Sequence, residues 1–305
     1  MTTQFGRQAQ LLIGAGTSLI DLSQMEIEFQ VQGFMLSTPK TATIRIYNLT
    51  PDTARRVTSE GAQVILSAGY AGNFNTIFNG QLIQARMGRE NGTDTYLDIT
   101  AATGDYVYNH GFLNLTISSG PDIIGRLGQI ANAVGLKVGT IQAPQSGTAL
   151  PRGQVFFGLA RDHLHALCAS IGADWCINDN GELDVIASGS YKPGDIPVIN
   201  AASGLIGVPE QTEIGVMVRC LLNPNLQQNM LIQLDNAAIQ QYSYSTNFFS
   251  QAGAAFVPSL SADGKYKVLV VNHVGQTRGN DWYTDLICYS NIVNEGQLQY
   301  LPKVF

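Results

Sequence analysis

Charge is what this sequence has least of. Asp, Glu, Lys and Arg together make up 13% of the 305 residues, about half the share of an ordinary soluble domain. Gly, Asn, Gln, Ser and Thr carry the polarity instead. The cores of protein interfaces are depleted in Lys, Glu and Asp, so a surface this poor in charge is expected to be covered in part by other subunits. An extracellular β-protein is the other class with such a composition. Basic clusters are missing too: no run of five Lys/Arg occurs, and the net charge is −6. Tight nucleic-acid binding needs clustered cations that displace counterions. Their absence argues against it, while leaving open a weakly repulsive surface past which DNA could slide.

Long apolar runs are also lacking. Nothing approaches the roughly 18 apolar residues of a membrane-spanning helix. The opening MTTQFGRQAQLLIGAG has a short apolar stretch and no basic start, so it does not read as a signal peptide. The four cysteines, Cys168, Cys176, Cys220 and Cys288, form no CxxC pair. Each sits in an apolar stretch and reads as a buried free thiol, in a chain made in a reducing cytoplasm.

What the sequence does have is β-pattern. Residues 26–31, 42–49, 64–70, 76–87 and 95–100 alternate apolar with polar side chains. Gly72-Asn73, Asn79-Gly80 and Asn91-Gly92 are expected at turns or bulges between them. Ile44 and Ile46 share one face of their strand, Arg45 and Tyr47 the other. At Asn48-Leu-Thr-Pro51 the alternation ends abruptly. Thr50 is placed to cap a helix, Pro51 to occupy its first position and Asp52 to meet its dipole. The helix is expected to run to about Ser59, with Gly61 ending it. Five strands and one helix predict a small barrel or sandwich.

A different texture follows. Ser119-Gly-Pro-Asp122 starts a helix with Ile123, Leu127, Ile130, Ala131 and Val134 at helical spacing, and Gly135 closes it. A second helix is expected over 157–171, stopped by Gly172, then a hairpin about Asn180-Gly181. After Tyr191 the chain returns to strands at 215–222, 230–234, 265–274 and 282–289. Residues 242–264 read as a long loop that could serve as an intersubunit arm. The expectation is mainly β with an α+β insert, divided into 1–105, 106–190 and 191–305, the two outer regions being β-domains. No close sequence repeat links them.

Chemistry is scarce. His163 and His165 fall on the second helix pointing to different faces, and with Cys168 and Cys176 they lack HExxH or any CxxC spacing for zinc. His110 and His273 stand alone. Gly204–Gly215 is Gly-rich but lacks the Lys-Ser/Thr of a P-loop and reads as a loop leading into a strand. Two carboxylate pairs meet the residue types a glycosidase needs: Glu182 with Asp184, and Asp98 with Asp105. Both read better as solvated strand faces, because most surface carboxylates do no chemistry. Trp175 and Trp282 could line a sugar site, but core packing explains them better. No catalytic, metal-binding or cofactor-binding residue is assigned.

Three phrases carry a resemblance: IRIYNLTPDTARR, GAQVILSAGY and IFNGQLIQARMGREN…YLDITAATGD. They resemble the N-terminal part of baseplate hub proteins of Mu-like and related long-tailed phages, akin to the late-control hub family. GLARDHLHALCASIGADWCINDNGELDV, GLIGVPEQTEIGVMVRCLLNPNL and GKYKVLVVNHVGQTRGNDWYTDLICY look like the rest of it. The resemblance covers roughly 20–289. It implies two tail-tube-like β-barrel domains flanking the α+β region, and a homotrimeric hub that joins the hexameric tail tube to the trimeric central spike. It further implies a lining for the DNA channel, contacts with other baseplate proteins and the tape measure protein, and a place in the virion after assembly in the host cytoplasm. No enzymatic activity and no cofactor are expected. A secreted carbohydrate-binding β-protein and a peptidoglycan hydrolase are the competing readings.

Overall fold

The computed structural model describes residues 5–290 apart from 17, 35–36, 59–60, 144–148, 213 and 242–258. The long-loop expectation at 242–264 therefore lies mostly outside the described residues.

Period-two alternation does become strands. β1 (Arg7–Ala15) and β2 (Ser18–Asp21) form an N-terminal hairpin that the sequence reading passed over. Its first strand buries Leu11 and Ile13. β3 (Ile27–Phe34) and β4 (Thr41–Tyr47) bury Ile27, Phe29, Val31, Ile44 and Ile46 and leave Arg45 and Tyr47 on the opposite face. The corner then turns as the sequence dictates. Asn48 takes a left-handed conformation (φ +55°), the Thr50 hydroxyl accepts from Thr53 N at 3.3 Å, and α1 spans Pro51–Val57. β5 (Gln63–Tyr70), β6 (Asn73–Arg89) and β7 (Thr95–Ala102) complete this unit. Asn91 sits at the β6–β7 turn, where its side-chain oxygen accepts from Thr93 N and Asp94 N. Asn79-Gly80, by contrast, lies inside β6. A Cβ at Gly80 would stand 2.4 Å from the Ala102 carbonyl, so the glycine is there for close approach of the neighbouring chain.

The middle region holds α2 (Asp105–Asn109), β8 (Phe112–Ile117), α3 (Ile123–Ala133), β9 (Lys137–Gln142), β10 (Gln154–Leu159), α4 (Ala160–Ala169), β11 (Ala173–Ile177) and β12 (Glu182–Ala187). α3 starts where expected: Asp122 accepts from Gly125 N at 2.7 Å. The second helix is shorter than its pattern. Residues 157–159 pair with β8 instead, and Gly158 (φ +128°) makes the strand-to-helix switch. The expected hairpin about Asn180-Gly181 is β11–β12, and β9 joins β12 in parallel. This unit has its own core, drawn from Val107 to Ala187 and centred on Leu127, Phe156, Leu164, Trp175 and Val185.

The last region contributes β13 (Leu205–Thr212), β14 (Gly215–Leu221), β15 (Leu231–Gln233), β16 (Lys265–Gln276) and β17 (Trp282–Ser290). β13 corrects the loop expected over 204–215. Its side chains are mostly exposed, which hid the strand from a reading based on buried alternation.

The fold is thus mainly β with an α+β insert, and its two β regions are joined. β16 pairs with β3 from Val270↔Phe34 to Gln276↔Glu28. One twelve-stranded sheet results, in the order β13-β14-β17-β16-β3-β4-β7-β6-β5-β1-β2, with β15 also on β16. Two cores lie along it. One gathers Leu11 to Ala101 and takes in Leu222 and Trp282. The other gathers Ile199, Val218, Tyr266, Val268 and Leu286.

The strand order repeats. β3-β4-β7-β6-β5 in one unit matches β13-β14-β17-β16-β15 in the other, neighbour for neighbour. β6 carries a bulge against β7 between Leu82 and Gln84, and β16 carries one against β17 between Val268 and Val270.

Candidate assembly face

The repeat extends to side chains on the face of the sheet turned away from the cores. In β4 and β7, Arg45 stands opposite Asp98. Its Nε and a terminal nitrogen donate to the two carboxylate oxygens at 2.7 and 3.0 Å, and the guanidinium lies 4.1 Å from the centre of the Tyr96 ring. In β14 and β17, Arg219 stands opposite Asp285. The same two bonds measure 2.6 and 3.0 Å, with the guanidinium 4.2 Å from the Tyr283 ring. Each clamp is an Arg on one strand and Tyr-x-Asp on its antiparallel neighbour. The hydrogen bond to the carboxylate raises the pKa of both arginines. Bidentate pairing and stacking fix a planar cation in one orientation. The clamps therefore neutralise two of the arginines on this face.

Three lysines hold the middle unit against the sheet. Lys40 pairs with Asp179 at 2.7 Å, and Asn79 donates to the Asp179 carbonyl at 2.9 Å. Lys192 pairs with Asp184 at 2.9 Å. Lys267, 2% exposed, reaches the Ser188 carbonyl at 3.4 Å. Burial lowers its pKa to about 8 against the opposing pull of Asp174.

The residues considered for chemistry are dispersed or engaged. Asp184 is buried and bonded to Lys192, Thr140 N and Asn178, and Glu182 accepts from Asn178. Asp98 belongs to a clamp, whereas Asp105 begins α2. Trp175 and Trp282 are each 2% exposed and offer no face to a sugar ring. Trp175 stacks on Tyr108 at 4.8 Å, and Trp282 meets Phe29 edge-on at 5.5 Å. All four cysteines are buried and unpaired. Burial pushes the thiols up to about 12 at Cys168, Cys176 and Cys220, and upward at Cys288, which keeps them unreactive. His163 contacts the Phe157 carbonyl at 3.1 Å and His165 is exposed. Among the described residues, no group of three His, Cys, Asp or Glu could hold a metal. Among the described residues no helix is long and apolar enough to cross a membrane. A cleft of about 490 Å³ between β1 and the β16–β17 turn is lined by Arg7, Gln10, Asp21, Phe74 and Trp282. Its arginine is already donated to the Gly279 and Asn280 carbonyls.

The clamps escaped the sequence reading, although a signal was present. Ile-Arg-Ile with Tyr-Leu-Asp, and Val-Arg-Cys with Tyr-Thr-Asp, are short matching phrases in the two β regions. Without the pairing register nothing marks them as equivalent.

Comparison with known proteins agrees with this architecture. No curated protein sequence matches the chain. Among solved structures, it is similar to a tail protein from Neisseria meningitidis MC58, with a TM-score of 0.61 at 9% identity over 93% of this chain and 96% of that one. It is also similar to the 43 kDa tail protein of prophage MuSo2 from Shewanella oneidensis, with a TM-score of 0.59 at 8% identity over 92% and 98%. The E. coli c3393 protein, a type VI secretion component described as structurally similar to the T4 tail proteins gp27 and gp5, gives 0.58 at 9% identity over 93% and 77%. At such identities the likeness is one of fold. The family model "Baseplate hub gp41" matches residues 8–238, and the chain therefore belongs to that family of phage baseplate hub proteins.

Proposed function

We propose that three copies of this chain form a baseplate hub that joins a hexameric tail tube to a trimeric central spike and lines the DNA channel between them. The repeated five-strand unit carries this reading. Each chain holds two units of the same strand order, each with its own Arg–Asp–Tyr clamp at the same register. Three chains would offer six such units, which meets a six-fold tube on one side while the trimer keeps three-fold symmetry for the spike.

The chemistry of the clamped face suits a channel wall. Two of its arginines, Arg45 and Arg219, are held by aspartates within the same sheet, and the chain as a whole is acidic. DNA binding strength rises with each phosphate neutralised by a free cation, so pairing Arg45 and Arg219 within the sheet weakens the wall's hold on a passing duplex. On this reading the protein is a structural part of the virion, assembled in the host cytoplasm among tube, spike, tape measure and other baseplate proteins, and does no catalysis. The buried tryptophans and the engaged Asp184 speak against the sugar-binding and hydrolase alternatives.

Light scattering on the purified protein tests the assembly. The expected result is a mass three times that of the 32.8 kDa chain. A species that stays monomeric at all concentrations, alone and with the spike, would count against the hub.

A further inference from the structure

The middle unit meets the sheet through one face of the β11–β12 hairpin. Along β11, Ala173, Trp175 and Ile177 point into the unit's own core, so Asp174 and Cys176 point the other way. Along β12, Leu183, Val185 and Ala187 point inward, so Asp184 and Ile186 share that second face. The register sets Asp174 opposite Ile186 and Cys176 opposite Asp184. Cys176, Asp184 and Ile186 are nonetheless buried, because residues outside the unit cover them. Lys192 bonds Asp184, and Gln228 hydrogen-bonds the Cys176 thiol. Lys267 and Tyr289, cross-strand partners on β16 and β17, lie in the field of Asp174 and are themselves buried.

This contact is built differently from either core. None of the three apolar cores among the described residues draws buried side chains from both the middle unit and the sheet. Lys40 and Lys192 make direct ion pairs there. Lys267 does not. Its ammonium has the Ser188 carbonyl at 3.4 Å, and Asp174 acts on it from beyond ion-pair distance. A charge buried with one long hydrogen bond opposes the contact that buries it. The chain enters the unit at 103–104 and leaves it over 188–194, where Gly194 takes φ +156°.

We propose that the middle unit is a module that lifts off the sheet as one folded body, hinged at 103–104 and 188–194, with Lys267 as the contact that loosens its docking. The proposal stands apart from the hub reading. Polar contacts between domains permit such movement, and a core of its own keeps the unit folded while it moves.

The same lysine makes docking depend on pH. Burial holds its pKa at about 8 in the docked state, against the pull of Asp174. Once undocked it returns to roughly 10.4. Between those values the undocked state binds more protons, so docking tightens as pH rises from 8 toward 10. The groups that face it are few. On β11, burial raises the pKa of Asp174 against the charges of Lys267 and His165. On α4, His165 and Cys168 lie near Asp174. On β17, burial pushes Tyr289 up to about 12, which acts above pH 10 and in the opposite sense. β15, on the other edge of β16, brings only Leu231, Ile232 and Gln233.

The native cysteines test it. Cys176 lies at the contact, Cys168 in the core of the unit, and Cys220 and Cys288 in a core of the sheet. The full chain is pulsed with iodoacetamide and the labelled cysteines are located by peptide mass spectrometry, each rate being divided by that of the urea-unfolded chain at the same pH. At pH 8 Cys176 is expected to label roughly tenfold faster than the other three, and its rate to fall about tenfold by pH 9.5. Lys267→Met, which keeps an apolar stem, is expected to slow the labelling of Cys176 at pH 8 and to remove the pH dependence. Four cysteines that label together in the wild type mean that the unit leaves the sheet only when the whole chain unfolds, and overturn the proposal. A wild-type Cys176 that labels equally at both pH values, or faster in Lys267→Met, overturns the part given to Lys267. The wild-type series decides alone if the variant does not fold.

Discussion

His273 lies in β16 with its Nδ1 2.9 Å from the Thr284 hydroxyl. Burial, helped by the charge of Lys40, lowers its pKa to about 3. In the unfolded chain the same imidazole takes up a proton near pH 6.5. Between those values the unfolded state binds more protons, so stability rises with pH and is lost as pH falls below about 6.5. Urea unfolding of the wild type is expected to weaken by roughly 2 kcal/mol more than that of His273→Gln between pH 6.5 and 5. Equal losses in the two proteins would mean that the ring is protonated in the folded state. Asn48 gives a second test. Its left-handed backbone and its side-chain oxygen, which accepts from Thr95 N at 3.1 Å, hold the corner before α1. Asn48→Ala is expected to cost about 1–2 kcal/mol. Asn48→Gly, which adopts the same backbone freely, should cost less; both are read from denaturant midpoints.

The elements of the middle unit are docked by charge as much as by apolar contact. Lys40 comes from the β3–β4 connection and Asp179 from the β11–β12 turn, and both are mostly buried. Removing one partner leaves the other charged and desolvated. Lys40→Ala is therefore expected to cost about 3 kcal/mol and to speed amide exchange in β11 and β12 before it does so in β4. Unchanged exchange in that hairpin would show that the ion pair does not hold it. Element type was legible at several places where one face was buried, though the β1–β2 hairpin escaped despite burying Leu11 and Ile13. The Ile44/Ile46 alternation, the Thr50-Pro51 helix start, the Asp122 cap and the Asn180-Gly181 hairpin all follow from local chemistry. β13 was not legible because its side chains are largely exposed, and β10 was not because Phe157 and Leu159 continue the apolar spacing of α4. Gly158 ends that spacing only through its backbone angle.

At the scale of the whole molecule, composition and pattern alone determined the class: mainly β with an α+β insert, poor in charge. Those properties follow from side-chain type and near-neighbour spacing, which a linear chain displays directly. The phrases shared with phage hubs carried the family for the same reason. Only the tertiary structure decided that two regions of dissimilar sequence are copies of one strand order, that Arg45 answers to Arg219, and that β16 finds β3. Strand pairing joins residues as far apart as Glu28 and Gln276. Its register is set by backbone geometry common to all side chains, so it leaves almost no mark on the sequence.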